Sequence, residues 1–241
     1  GPGFFHFGVH NLPAHSAREW FGRLSAFTRD PRPGELDDIL DNLNGVPGLL
    51  LVFNHPVWDL ACVGDQVHAD LLRRFLLEHG PLVHALEING YRSRRENGKV
   101  RALAAELDMP LISGGDRHAL APNAVINLTT AWTFGEFAEQ VRAGESHVVV
   151  LPEYQQPTEL RKLAAAADVV RHYRAYPKGR RHWTDRVTWD WKDGVQPLSH
   201  HWPGGGPFWV RSAMAAFRLA ASPVVLPLLR PIFRRTAANV D

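Results

Sequence analysis

Three places in the sequence carry residue types that bind metals or transfer protons, and each is at or near the end of a short apolar run. They are His55, Glu87, and the pair Asp116 and His118. Parallel α/β proteins gather their chemistry at the carboxyl ends of strands, because the loops there share one face. Carboxylate oxygen combined with imidazole nitrogen suits zinc, manganese or iron. The positions of these residues therefore predict a metal site at the carboxyl ends of the strands.

The elements that must position these residues follow from hydrophobic patterning. Short apolar runs typical of buried strands lie at 4–10, 48–53, 81–88, 109–113, 123–128 and 146–152. Segments with apolar residues at helical spacing occupy 16–27, 66–79, 94–107, 134–143 and 156–174. Strands that alternate with helices in this way predict an α/β fold with parallel strands covered by helices.

The character of the chain changes after Pro152. Residues 176–209 are rich in Trp, Pro, Gly and charged residues, which predicts an irregular or short-stranded appendage. We therefore divide the chain into a domain that carries the predicted metal site, residues 1–155, and a helical, Trp/Pro/Gly-rich appendage, residues 156–241. The apolar stretch 209–235 is interrupted by arginines and by three prolines, so its uninterrupted apolar runs are shorter than the roughly 20 residues needed to span a bilayer. It is interpreted either as a terminal helix packed on the domain or as a helix that makes weak contact with a membrane surface or a partner.

Composition restricts the class of protein. The 241 residues are 45% hydrophobic with a formal net charge of +2, so a substantial core is expected and no nucleic-acid partner is. A single cysteine, Cys62, excludes an internal disulfide and any Cys-rich zinc site. With no signal peptide visible, these features predict a cytoplasmic protein.

Three motifs resemble the PHP domain, a family named for polymerases and histidinol phosphatases. "VFNHP", "ALEING" and "SGGDRH" occur in the order of the family's late motifs, and the resemblance covers roughly residues 4–152. The surrounding sequence is similar to a bacterial PHP-like subgroup. The resemblance implies a distorted seven-stranded (β/α) barrel with two or three divalent metal ions, zinc, manganese or iron. It also implies hydrolysis of a small phosphoester by a metal-activated water.

The resemblance also implies roles for particular residues. The metal ligands are His55, Asp116, His118 and one earlier histidine, which we assign to His10, although spacing leaves His6 open. Asp116 and His118 are also assigned to catalysis, and Arg92 and Arg117 to phosphate binding. The residues assigned to the surroundings of the metal site are His6, Asn54, Asp59, Glu87 and Asn89.

One departure from the family is plain. The family's opening His-x-His motif has no counterpart, and about five of the seven barrel strands are recognisable. We therefore expect a barrel that is incomplete at the N-terminus, in a truncated chain. Two alternatives stay open: a non-catalytic PHP-like docking or structural module, and an amidohydrolase-like enzyme that acts on C–N bonds.

Overall fold

The computed structural model describes residues 4–32, 34–114, 124–172, 182–185, 187–192 and 194–222, together with 224, 225, 227, 228 and 231. These residues form two compact units. The first contains the described residues up to 114 and resumes from 125 to 151, and the second contains residue 124 and those from 152 onward. Each unit is described by itself.

The first unit alternates strands and helices, largely where the apolar patterning predicts them. Its strands are β1 (His6–His10), β2 (Leu50–Asn54), β3 (Ala85–Asn89), β4 (Leu111–Gly114), β5 (Val125–Leu128) and β6 (His147–Val150). Its helices are α1 (Ala17–Arg29), α2 (Glu35–Asn44), α3 (Asp65–His79), α4 (Arg94–Glu106) and α5 (Phe134–Arg142). The α/β class predicted from the sequence is therefore confirmed.

The main sheet is mixed, with strand order β1-β2-β3-β4. Strands β2, β3 and β4 are parallel, but β1 runs antiparallel to β2, so the expectation of parallel strands throughout was wrong for β1. Strands β5 and β6 form a separate antiparallel pair, so the expectation of parallel strands was wrong for these two strands as well. Within the described residues the four-stranded sheet is open, and the seven-stranded barrel stays a prediction.

The two faces of the main sheet bury different clusters, because successive strand residues point to opposite sides. On one face, Leu51 of β2 and the neighbouring Leu49 pack against α2, with α1 alongside. On the other, Leu50, Val52 and Ala85 pack against α5. We call the second side the α5 face. Its apolar residues occupy the amino-terminal part of the strands, so α5 covers only that part.

Helix α2 was absent from the sequence-based prediction, although its signal is present. Leu36, Ile39, Leu40 and Leu43 stand at helical spacing, and the last three are fully buried. The first turn carries Glu35 and two aspartates, which interact favourably with the positive end of the helix dipole. The spacing of these apolar residues alone therefore predicts an amphipathic helix over residues 35–44.

His84, just before β3, is a buried histidine with both ring nitrogens hydrogen-bonded. The Leu51 N–H donates to Nδ1 at 2.8 Å, so Nε2–H donates to Asn44 Oδ1 at 2.6 Å. Burial, together with the smaller effect of the Arg142 charge, lowers the pKa of His84 from 6.5 to about 4. The imidazole is therefore a neutral structural link between β2 and α2 at neutral pH.

This lowered pKa predicts a loss of stability in acid. Between pH 6.5 and 4 the unfolded chain binds a proton that folded His84 does not, so stability present above pH 6.5 is lost as the pH falls toward 4. The contribution is up to about 1.4 kcal/mol per pH unit. Urea unfolding across this range should show a shallower pH dependence in His84→Gln than in wild type. His15→Gln, at an exposed histidine, should keep the wild-type slope.

The second unit is helical with one small hairpin. Helix α6 (Thr158–His172) packs against α7 (Phe208–Ala220), and β7 (Thr188–Trp191) pairs antiparallel with β8 (Gly194–Pro197). Trp189 and Trp191 stack on β7 with ring centroids 5.0 Å apart. The short hairpin lies in the segment where the composition predicts an irregular or short-stranded structure.

Candidate active site at the carboxyl ends of β2 and β3

Polar side chains replace the apolar ones on the α5 face toward the carboxyl ends of the parallel strands. His6 and Gly8 alternate along β1, Asn54 ends β2, and Glu87 and Asn89 follow Ala85 on β3. We call the set His6, His10, Asn54, Glu87 and Asn89 the polar edge. A half-apolar, half-polar sheet face of this kind is typical of a site built at strand ends.

His55 follows the last residue of β2 and is held in an unusual backbone conformation. Its φ is +32°, in the left-handed region that non-glycine residues rarely occupy. Its backbone N–H donates to Glu87 Oε2 at 2.6 Å, and its ring Nδ1 lies 3.0 Å from the same oxygen. One buried carboxylate therefore holds both the backbone and the ring of His55. Strained residues fixed in this way cluster at functional sites.

Glu87 is itself 4% exposed and lies at the centre of the hydrogen-bond network. Besides the two bonds to His55, its Oε2 accepts from Asn89 Nδ2 at 3.2 Å. Asn89 is oriented in turn by the side chain of Asn97, which bonds to both the N–H and the carbonyl of Asn89. The hydrogen bonds from these donors offset the free-energy cost of removing the carboxylate from water.

Two glycines make room for these side chains. A Cβ on Gly114 would overlap Glu87 Oε1, so only glycine fits opposite the carboxylate on β4. A Cβ on Gly8 would lie 2.5 Å from His10 Nε2 and 3.1 Å from Asn54 Oδ1. Periodicity in the sequence does not reveal the need for glycine at 114, because the Glu87 side chain that crowds it comes from a neighbouring strand, whereas Gly8 is crowded by nearby His10 as well as by Asn54.

His6 is the early histidine that contacts His55. Its Nδ1 lies 3.0 Å from His55 Nε2, and the two rings meet edge to face with centroids 5.1 Å apart. The antiparallel register explains this, because it pairs His6 with Asn54 at the carboxyl end of β2 and His10 with Leu50 at the other end. The spacing in the sequence left both histidines open as ligands, and the register places His6 beside His55.

His10 is the member of the polar edge that lies at the opposite end of β1 from His6. Part of the residue remains exposed, and its ring lies beside that of Phe134 and over Gly8. Desolvation lowers the pKa of His10 below its usual value, while the negative charge of Glu87 raises it. The lowered pKa favours the neutral imidazole, the form that binds metals.

The loop after His55 is tied down by its own contacts. Asp59, which we expected beside His55, accepts instead from the N–H groups of Val63 and Gly64 at 3.1 Å and 2.8 Å. Desolvation acts to raise the pKa of Asp59, but these hydrogen bonds and nearby His68 lower it below its usual value. His68 lies buried with Nε2 2.9 Å from the Pro56 carbonyl. Asp59 and His68 therefore hold the loop that carries His55.

Arg92, a predicted phosphate-binding residue, lies flat against an aromatic ring. Its guanidinium carbon is 3.5 Å from the centroid of Trp58, and the Trp58 ring is 5.1 Å from the His55 ring. Glu96 lies 3.7 Å from the guanidinium. Cation–π stacking holds Arg92 against Trp58, a ring that also neighbours His55.

Three predicted site residues, Asp116, Arg117 and His118, lie outside the described residues. Among the residues that the structure describes, no group of three or more His, Cys, Asp or Glu side chains is arranged to hold a metal ion. The described part of the site therefore supplies the pair His6 and His55, backed by Glu87, with His10 nearby. No family model, no curated protein and no solved structure matches this chain.

Proposed function

We propose that the polar edge is part of a metal-dependent hydrolase site that cleaves a small phosphoester. The observation that carries the proposal is the chain Glu87–His55–His6, in which a buried carboxylate orients one imidazole toward another. Metal-binding histidines commonly donate their second ring N–H to a carboxylate in this manner. The resemblance to PHP domains at "VFNHP" and "ALEING" points to the same chemistry.

The donor set fits a divalent ion. A carboxylate only accepts hydrogen bonds, so His55 Nδ1 donates to Glu87, and in the neutral ring the lone pair is on Nε2. That nitrogen faces His6 Nδ1 at 3.0 Å. Two imidazoles bound to one tetrahedral zinc, at about 2.0 to 2.1 Å each, have nitrogens roughly 3.3 Å apart. Moving the two rings slightly apart would therefore admit the ion. His10 is a further ligand in this proposal, and the resemblance to PHP domains adds Asp116 and His118.

Each described residue has a defined task in the proposed reaction. A divalent ion held by these histidines would supply the Lewis acidity that activates water near neutral pH and would neutralise phosphate oxygens. Glu87 keeps the ring of His55 in one tautomer and one orientation. Arg92, held against Trp58, offers two parallel N–H groups to the phosphate of the substrate. The proton for the leaving oxygen would come from His118 or a nearby histidine.

Metal content and hydrolysis should fall together when His55 is removed. In His55→Ala we expect metal affinity to drop at least about tenfold and phosphoester hydrolysis at least about a hundredfold. Metal is measured by mass spectrometry on the purified 241-residue chain, and activity is measured on a panel of phosphoesters. His6→Ala, at an exposed position, should act in the same direction without loss of folding.

The control variant is His147→Ala, an exposed histidine on β6, which should keep wild-type metal content and activity. Full metal content in His55→Ala and His6→Ala would remove both residues from the site. The absence of bound metal from the purified wild-type protein would favour the non-catalytic PHP-like module. Hydrolysis of cyclic amides but not of phosphoesters would favour the amidohydrolase-like alternative.

A further inference from the structure

The outward side of α7 is largely apolar, and among the described residues of the second unit its large apolar side chains remain exposed. One side of the helix packs inward through Val210, which is buried, with Met214 and Phe217 partly buried on the same side. At 100° per residue, Phe208, Ser212, Ala215 and Leu219 occupy the opposite side, and Trp209 flanks them. All five are exposed. The helix therefore has two apolar sides, and only one is used by the fold.

Large apolar side chains on this surface are unusually open to solvent. Between Phe208 and Leu228, the residues Phe208, Trp209, Leu219, Val224 and Leu228 are each 66% to 83% exposed. Single exposed apolar residues are ordinary on protein surfaces, whereas a concentrated group marks an interaction surface. We call this group the α7 apolar surface.

The charge of the same segment has one sign. From residue 194 to 240 the sequence contains five arginines, Arg211, Arg218, Arg230, Arg234 and Arg235, and no Lys, Asp or Glu. The whole chain carries only +2, so the rest of the protein is net negative. Arg211 and Arg218 are exposed and lie seven residues apart, on one flank of the α7 apolar surface. The positive charges of Arg211 and Arg218 therefore lie beside the exposed apolar residues of α7.

We propose that α7 binds the surface of an anionic phospholipid bilayer. The helix lies parallel to the membrane, Phe208, Trp209 and Leu219 enter the boundary between headgroups and acyl chains, and the arginines pair with lipid phosphates. Aromatic and leucine side chains on one side with arginines at its margin are the pattern of interfacial helices. In the part of the chain that the structure describes, no helix is long and apolar enough to cross a bilayer. The proposal is independent of the hydrolase proposal.

Flotation with vesicles tests this proposal. The whole 241-residue protein is mixed with vesicles of phosphatidylcholine alone or of phosphatidylcholine with phosphatidylserine. We expect binding to the anionic vesicles only, weakened by high salt. The double variant Phe208→Ser, Trp209→Ser should lower binding at least about tenfold, because the inserted rings are lost. Arg211→Glu should lower binding about fivefold or more at low salt.

Matched controls separate this surface from general effects. Phe21→Ser removes an exposed phenylalanine of α1, and Arg101→Glu reverses an exposed arginine of α4, and both should bind as wild type does. Wild-type protein that does not float with anionic vesicles overturns the proposal, as does binding that survives the Phe208 and Trp209 changes. Sedimentation of the protein without lipid is the second measurement. A dimer that these changes dissociate would assign the surface to a second copy of the chain and would also overturn it.

Discussion

Glu87→Ala is expected to lower the free energy of unfolding by about 3 to 5 kcal/mol, the largest stability effect of a single substitution at the site. The reason is that one buried oxygen accepts from the backbone N–H of His55, the ring of His55 and Asn89. Alanine leaves all three donors buried without an acceptor and releases His55 from its left-handed conformation. Urea unfolding followed by circular dichroism measures the change.

Glu87→Gln and Glu78→Ala are the two variants against which the free energy of unfolding of Glu87→Ala is compared. Glutamine keeps the shape and one acceptor oxygen, so it should cost less than about half as much as alanine. Glu78, on α3, is half exposed and pairs with exposed Arg74 and, more distantly, with partly buried His79, so Glu78→Ala should cost about 0.5 kcal/mol. If Glu87→Ala were as mild as Glu78→Ala, the carboxylate would not organise the site.

Gly114→Ala is expected to cost about 2 to 3 kcal/mol, since the new methyl group would overlap Glu87 Oε1. The carboxylate must then move and give up part of its bonding to His55. The proposed site should be affected as well, with a loss of metal affinity in the same direction as in His55→Ala. Chemical unfolding and metal titration of the same preparations measure both effects.

Gly98→Ala is the matched control for Gly114→Ala. Gly98 lies within α4 with no atom near the position of a Cβ, so alanine there should raise stability by about 0.5 to 1 kcal/mol. A double-mutant cycle gives a further check, because Glu87→Ala vacates the space that the new methyl group needs. In the Glu87→Ala background, Gly114→Ala should therefore cost less than about 1 kcal/mol. If Gly114→Ala cost the same in the wild-type and Glu87→Ala backgrounds, overlap with the Glu87 side chain would not be the cause of the lost stability.

The amino-acid sequence by itself determined the kinds of elements and much of their extent. Runs such as 48–53 and 109–113 are continuous and apolar, and the structure has β2 and β4 there. Helical spacing located α4, which begins after a Ser93 capping box with Glu96. These signals are local, because burial on one side imposes a period on neighbouring residues. The same alternation of strands and helices also indicated that His55 and Glu87 stand near strand ends.

Only the tertiary structure decided which residues meet at those strand ends. The direction of β1 depends on its pairing with β2, which begins forty residues after β1 ends, and that pairing places His6 rather than His10 against His55. The need for glycine at 114 arises from Glu87 on a neighbouring strand, and the position of Arg92 arises from Trp58. Contacts between distant segments leave no period in the sequence, so spacing alone could not select among these residues.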